Sequence, residues 1–252
     1  MGTTAKKIIG VIPARRGATR FPNKPLALIQ GKPMIQWVIE GCKKSKTLTQ
    51  LFVATDDQEI FHVSEKAGAL AVMTDSQLPS GTDRIYQATK NLDFDVAINI
   101  QGDEPLIQAE DIDSLAKIYL EGDNPEMATL AHEISEVDLS SENAVKVIIN
   151  KAADAIYFSR FPIPHSRLDA KLIPGGPICL KHVGLYAYTK NFLKSFCETG
   201  PVLIEKAESL EQLRALHLGA RIRVIKIKNQ TLGIDTPEDL ARLEKWLAGK
   251  KI

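Results

Sequence analysis

Arg15, Arg20 and Lys24 fall within one stretch containing Gly and Pro, PARRGATRFPNKPL from Pro13 to Leu26. A polyphosphate needs cationic donors of different reach, and this stretch offers planar guanidinium forks beside a compact ammonium. Gly17 and Ala18 leave room for the backbone to approach a ligand closely. The pattern is not a P-loop, because Lys24 is followed by Pro25 and lacks the preceding glycine. It is not a dinucleotide fingerprint either, since Gly10-Val11-Ile12-Pro13 has no second or third glycine at the required spacing. A solvated basic loop would have the same composition.

Two acids offer divalent-cation chemistry. Asp103 sits in Gln101-Gly102-Asp103-Glu104-Pro105, just past an apolar run, and Asp235 sits in Gly233-Ile234-Asp235, ahead of Thr236-Pro237-Glu238-Asp239-Leu240. Magnesium takes oxygen ligands and is commonly held by one or two carboxylates plus substrate phosphates. QGDEP also suits a tight turn, in which Gly102 permits a sharp bend, and Asp235 suits a helix start. The acids are 132 positions apart, so spacing alone does not bring them together. A third group is mid-chain. His182, Gly184 and Tyr186 share a strand face by the period of two. Glu208 and Glu211 stand three apart on an expected helix, with Gln212 beside Glu211. His62, His132, His165 and His217 form no ligand spacing.

The elements that must position these groups follow from hydrophobic periodicity. Ile8 to Pro13, Leu51 to Thr55, Leu70 to Met73 and Val96 to Ile100 read as buried strands. Between and after them, helices are expected at Pro33 to Lys44, Asp57 to Ala67, Asp83 to Asn91 and Glu110 to Leu120. Near-continuous apolar strands alternating with helices indicate a mostly parallel sheet covered on both faces, with ligands at the carboxyl ends of its strands. Further on, Met127 to His132, Val145 to Ile149, Ala155 to Ser159 and Lys181 to Tyr188 are β-like, and Phe161 to Pro177 reads as a loop. A helix is expected over Glu208 to Leu218, a strand over Ile222 to Ile227, and a last helix over Pro237 to Leu247 with Thr236 as its cap. One α/β domain carrying a β-rich insertion accounts for this order.

Composition bounds the class. The 252 residues carry 32 Lys+Arg against 31 Asp+Glu, which leaves no basic field for nucleic acid. Three scattered cysteines, Cys42, Cys179 and Cys197, make neither a disulfide framework nor a zinc knuckle. No apolar run approaches a membrane span, and Arg15 and Arg16 cut the first run too short for a signal-peptide core. The expectation is a reduced, cytoplasmic protein without a membrane span.

The ordered set PARRGATRFPNKPL, GKPM (Gly31 to Met34), VATDD (Val53 to Asp57), SGTDR (Ser80 to Arg84), NIQGDEPLI (Asn99 to Ile107), AVKV (Ala144 to Val147), YFSR (Tyr157 to Arg160), HVGLYAY (His182 to Tyr188), ESLEQLRAL (Glu208 to Leu216) and GIDTPEDL (Gly233 to Leu240) resembles the 3-deoxy-manno-octulosonate (Kdo) cytidylyltransferases over about residues 8 to 248. The resemblance implies a doubly wound α/β fold with a mostly parallel sheet of nucleotidyltransferase type. It implies a single cytidylyltransferase domain over residues 1–252, with a β-rich, sugar-binding and dimerisation region at about 127–200. The implied activity is condensation of CTP with a 3-deoxy-2-ulosonic acid to give CMP-sugar and pyrophosphate for lipopolysaccharide assembly, in a Mg2+-dependent homodimer.

By that resemblance Arg15, Arg20 and Lys24 look like triphosphate ligands, with Lys24 and Arg15 catalytic. Ser80 and Gly81 look like part of the cytidine pocket, and Asp103 and Asp235 resemble the catalytic, metal-binding carboxylates. Gln101, Arg160, His182, Tyr186, Glu208 and Glu211 look like the sugar side, with Arg160 and His182 suited to its carboxylate. There are departures from the family pattern. Arg16 replaces a Tyr or small residue, Asn23 a Gly, Lys206 a His and Ser209 an apolar residue. The changes near the sugar side keep 8-amino-3,8-dideoxy-manno-octulosonate, or another 2-ulosonic acid, as the alternative acceptor. A noncatalytic nucleotide-binding module is the alternative of a different class.

Overall fold

The computed structural model describes residues 6–17, 21–165, 167, 178–228 and 233–249. The chain forms two compact units. Residues 1–116 and 231–252 make the first, and 117–230, inserted between those segments, make the second.

In the first unit, strand β1 (Ile8–Ala14) leads through a 3-10 turn at Lys24–Leu26 to a short hairpin, β2 (Leu28–Ile29) and β3 (Lys32–Pro33). Helix α1 (Met34–Cys42), β4 (Gln50–Thr55), α2 (Gln58–Lys66), β5 (Leu70–Met73), α3 (Gly81–Thr89), β6 (Val96–Asn99) and α4 (Ala109–Leu120) follow, the division between units falling within α4. β6, β1, β4 and β5 lie side by side in that order, every neighbouring pair parallel. Ile8, Ile9, Val11 and Ile12 are almost fully buried, as are Val96, Ala97 and Ile98, which is why these strands read as continuous apolar runs rather than alternating ones. The chain grows outward from β1 through β4 to β5 and then returns to the other side of β1 with β6. That reversal makes the carboxyl ends of β1 and β6 the switch point at which an open α/β sheet binds ligand.

The second unit holds β7 (Met127–Glu133), α5 (Glu136–Ser140), β8 (Lys146–Ile149), β9 (Ala155–Ser159), β10 (Leu180–Thr189), α6 (Lys190–Thr199), α7 (Leu203–Glu208), α8 (Gln212–His217) and β11 (Ile222–Lys226). β7 pairs antiparallel with β10 and parallel with β11, while β8 pairs antiparallel with β9 and with the start of β10. Most of the expected loop at Phe161 to Pro177 lies outside the described residues.

One expected element is corrected. The single helix over Glu208 to Leu218 is two short helices, broken where Ser209 takes a left-handed φ of 52°. Glu208 therefore closes α7 and Glu211 precedes α8, so the two are not neighbours on one helix. Arg160 holds the break open, its Nε donating to the Glu208 carbonyl (2.9 Å) and its Nη2 to the Ser209 carbonyl (3.3 Å).

The chain returns to the first unit with α9 (Pro237–Gly249). Thr236 caps it as expected: its hydroxyl accepts from Asp239 N (3.2 Å), and the Asp239 carboxylate accepts from Thr236 N (2.9 Å) and Asp235 N (3.1 Å). Ile234 and Leu243 are buried against Ile29 and Met34, with Leu240 and Leu247 alongside. Each such side chain contributes about 1.5–3 kcal/mol on burial, enough to anchor the segment that carries Asp235. No described helix is long and apolar enough to cross a membrane.

Candidate active site

At the switch point the distant acids meet. Lys24 Nζ donates to Asp103 Oδ2 at 2.6 Å and lies 3.4 Å from Asp235 Oδ1. The Ile234 N–H donates to the Asp103 carbonyl (2.9 Å), tying the two acidic segments together through the backbone as well. Lys24 is the most enclosed of the three side chains and Asp235 the most open. Gly102 sits where space is short, and its φ is not in the left-handed region. A Cβ at that position would come within 3.2 Å of the Pro13 carbonyl, where the ends of β6 and β1 pass each other. Gln101 Nε2 donates to Asn99 Oδ1 (3.3 Å).

Beneath Asp103, Glu104 and Asp111 are buried, and each keeps one carboxylate oxygen without a partner. Burial, with the charges of Asp103 and Asp111, pushes the Glu104 carboxyl up to about 8.

Two of the departures in the first loop turn out to be coupled. Asn23 takes a left-handed φ of 58°, a conformation in which Gly and Asn substitute for each other. Its Oδ1 accepts from Arg16 Nε (3.0 Å), and Arg16 Nη1 reaches Asp57 (2.8 Å). The Arg16 N–H donates to Asp56 (3.2 Å), which is held from behind by buried Arg84 (3.2 Å). Residues of VATDD and SGTDR thus brace the base of the loop. Arg15 is exposed, with no hydrogen-bond or ion-pair partner among the described residues, and Arg20 lies outside them. The Ser80 hydroxyl is committed to capping α3, accepting from Asp83 N at 3.1 Å. Gly81 follows it, packed toward Pro13.

The second unit assembles the mid-chain residues. The His182 and Tyr186 rings lie 5.4 Å apart between centroids at a tilt of 36°, and Phe158 meets His182 nearly perpendicular at 5.0 Å. Burial pushes the His182 imidazole down to about 3, so it is neutral at ordinary pH. Tyr186 donates to Gln212 Oε1 (3.3 Å), and Gln212 Nε2 is buried with no acceptor. Glu208 accepts from the Ser159 hydroxyl (2.7 Å) and from Arg160 N (2.9 Å). Arg160 spends its guanidinium on the carbonyls of Glu142, Glu208 and Ser209. Both residues therefore hold the corner between α7 and α8, and Glu211 stands at the N-terminus of α8. Sequence reasoning missed Gln212 as a donor, and missed altogether Thr129, whose hydroxyl lies 3.0 Å from His182 Nε2. Gln212 could have been found from its place beside Glu211 on the expected helix, but nothing local marks Thr129.

A parallel sheet with a lysine and two acids at its switch point defines a nucleotide-handling α/β protein. A family model for cytidylyltransferases matches residues 9–222. The 3-deoxy-manno-octulosonate cytidylyltransferase of Bdellovibrio bacteriovorus is 57% identical over 244 residues, covering 97% of this chain and 99% of that protein. The enzyme of the same name from Thermodesulfovibrio yellowstonii is 46% identical over 251 residues, covering 95% and 97%. A solved CMP:2-keto-3-deoxy-manno-octonic acid synthetase complexed with CTP superposes with a TM-score of 0.90 at 39% identity, covering 97% of this chain and 99% of that one. The chain belongs to the cytidylyltransferase family, among the 3-deoxy-manno-octulosonate cytidylyltransferases.

Proposed function

We propose that this chain transfers the cytidylyl group of CTP to the anomeric hydroxyl of Kdo, releasing pyrophosphate, in the making of lipopolysaccharide. The observation that carries the reading is the convergence of Lys24, Asp103 and Asp235 at the switch point of the parallel sheet. Two carboxylates from separate segments form an oxygen-only set that suits magnesium, with the remaining positions left to phosphates and water. Held by Asp103 and Asp235, the ion would supply Lewis-acid polarisation of the α-phosphate and acidify the attacking hydroxyl.

The chain's own residues meet the other difficulty, which is bringing a triphosphate and a sugar carboxylate together against their repulsion. Arg15 and Lys24 supply the cations, Arg20 belongs to the same loop, and Lys24 stabilises charge that develops on the departing pyrophosphate. Ser80 and Gly81 shape the cytidine side through the backbone at the start of α3. Gln101 and Glu211 keep the sugar-binding part that the family resemblance gives them, and within the second unit Tyr186, His182 and the unpaired Gln212 amide offer polar groups to a sugar acid. Arg160 and Glu208 act through the corner they hold. The homodimer and the cytoplasmic setting belong to the same reading.

No cysteine is needed. Burial pushes Cys42 up to about 12 and raises Cys179, which keeps both thiols protonated and poor nucleophiles. A variant with Cys42, Cys179 and Cys197 all changed to Ser is expected to keep turnover within about threefold, and complete loss in a folded variant would overturn direct transfer.

The reading is tested with four nucleoside triphosphates and a panel of 2-ulosonic acids, scoring pyrophosphate and product mass. CTP is expected to exceed UTP in specificity constant by about 5- to 150-fold. That corresponds to the roughly 1–3 kcal/mol lost when a pocket built for the cytosine amino group meets a carbonyl. Kdo is expected to lead the acids. Equal use of CTP and UTP would remove the base assignment, and a tenfold or greater preference for the 8-amino acid would change the acceptor.

A further inference from the structure

We infer that Thr129 fixes the tautomer of His182, so that the imidazole meets the sugar acid through a bare Nδ1 that accepts a hydroxyl proton. The inference rests on the sugar-side reading of His182 and deepens it by adding a positioning residue on the neighbouring strand.

The geometry begins with a bulge in β10. Its pairing with β7 sets Val183 opposite Leu130 and resumes with Tyr186 opposite Thr129, leaving Gly184 and Leu185 over. The Thr129 side chain fills the gap. Its Oγ1 lies 3.1 Å from the Val183 carbonyl and 2.9 Å from the Leu185 carbonyl, and the residue is wholly buried. A hydroxyl has one proton, and carbonyls have none to offer, so Thr129 donates to one of these two oxygens. What remains on Oγ1 is acceptor capacity, and His182 Nε2 stands 3.0 Å away. Nε2 therefore carries the ring proton. The opposite arrangement would send the threonine proton to the imidazole and leave both bulge carbonyls without that donor in a buried site, which is the costly outcome.

A neutral imidazole has one N–H, so Nδ1 is left with its lone pair as an acceptor. The ring is neutral because burial lowers its basicity. Phe158, nearly perpendicular to it, and the tilted Tyr186 ring pack against the imidazole and limit its rotation. No described residue bonds Nδ1. A bare imine nitrogen repels a carboxylate and welcomes a hydroxyl. On this inference the partner of His182 is a hydroxyl of the sugar rather than its carboxylate.

The test uses the full chain labelled with 15N-histidine, in which long-range proton–nitrogen spectra report which ring nitrogen is protonated. The His182 signals are assigned by their loss in His182→Gln. Wild type and Thr129→Ser are expected to show the Nε2–H ring at neutral pH. Thr129→Val is expected to lose the single tautomer and to raise KM for Kdo about tenfold, with kcat and KM for CTP within about threefold, while Thr129→Ser stays near wild type. His182 protonated on Nδ1, or on both nitrogens, in the wild type would overturn the inference, as would Thr129→Val with the tautomer and the Kdo KM unchanged. Should Thr129→Val fail to fold, the wild-type and Thr129→Ser spectra still decide. Nδ1–H in an enzyme that makes CMP-Kdo defeats the inference alone. An Nε2–H ring in a chain that makes no CMP-Kdo defeats the sugar contact through the failure of the function.

Discussion

Asp103→Asn is expected to lower turnover at least about 100-fold, equivalent to roughly 2.7 kcal/mol of transition-state stabilisation, in a protein that melts close to the wild type. The amide keeps the size of the side chain and removes the charge that faces Lys24 at 2.6 Å. It also halves the carboxylate set, leaving Asp235 as the only acid at 3.4 Å from the ammonium. Asp235→Asn is expected to act in the same direction. The double variant should lose less than the product of the single losses, because both acids face one lysine and, on the proposed function, would hold one cation. Turnover measured across a magnesium series checks this. Near wild-type rates at limiting magnesium in either single variant would remove that acid from the site.

The second large effect is on stability. Glu205→Ala is expected to cost about 3–5 kcal/mol in denaturant unfolding, because it strands a buried guanidinium that cannot shed its proton. Glu205 and Arg214 form a two-pronged buried pair, with Nε to Oε2 at 2.8 Å and Nη2 to Oε1 at 2.5 Å. Arg214 also donates to the Phe196 carbonyl (3.1 Å) and lies over the Phe196 ring at 4.3 Å, while Glu205 accepts from Val202 N (3.1 Å). One pair thus joins α6, α7 and α8 and sets where Gln212 stands. Replacing both partners at once, as Glu205→Leu with Arg214→Met, is expected to cost much less than the single change, since no charge is left unpaired. Equal losses in the single and double variants would show that shape, not the stranded charge, is what matters.

How much of this was legible in the sequence depends on the range of the force that decides each feature. The parallel strands were legible because burial on both faces writes itself as an unbroken apolar run, as in Ile8 to Pro13. The cap of α9 was legible because Thr236 and Asp239 act within one helical turn. The individual positions Lys24, Asp103 and Asp235 could be picked out by residue type, but their meeting depends on strand order and on the packing of Ile234 and Leu243 against Ile29 and Met34.

The break at Ser209 was not legible, since a serine has no local reason to enter the left-handed region. Arg160, distant in sequence, holds the carbonyls on either side of it. Helix α6 could have been found, because Phe192, Leu193 and Phe196 repeat at helical spacing and are all buried. Thr129 could not, because its part arises from a bulge in the partner strand.

The central claim is cytidylyl transfer to Kdo at the Lys24–Asp103–Asp235 site, and its most direct test is the mass of the product formed from CTP and Kdo, with pyrophosphate counted in the same reaction. The account predicts CMP-Kdo and pyrophosphate in equal amounts with magnesium, and both at background once the cation is chelated. Pyrophosphate without CMP-Kdo, or product formed equally well in excess chelator, would contradict it.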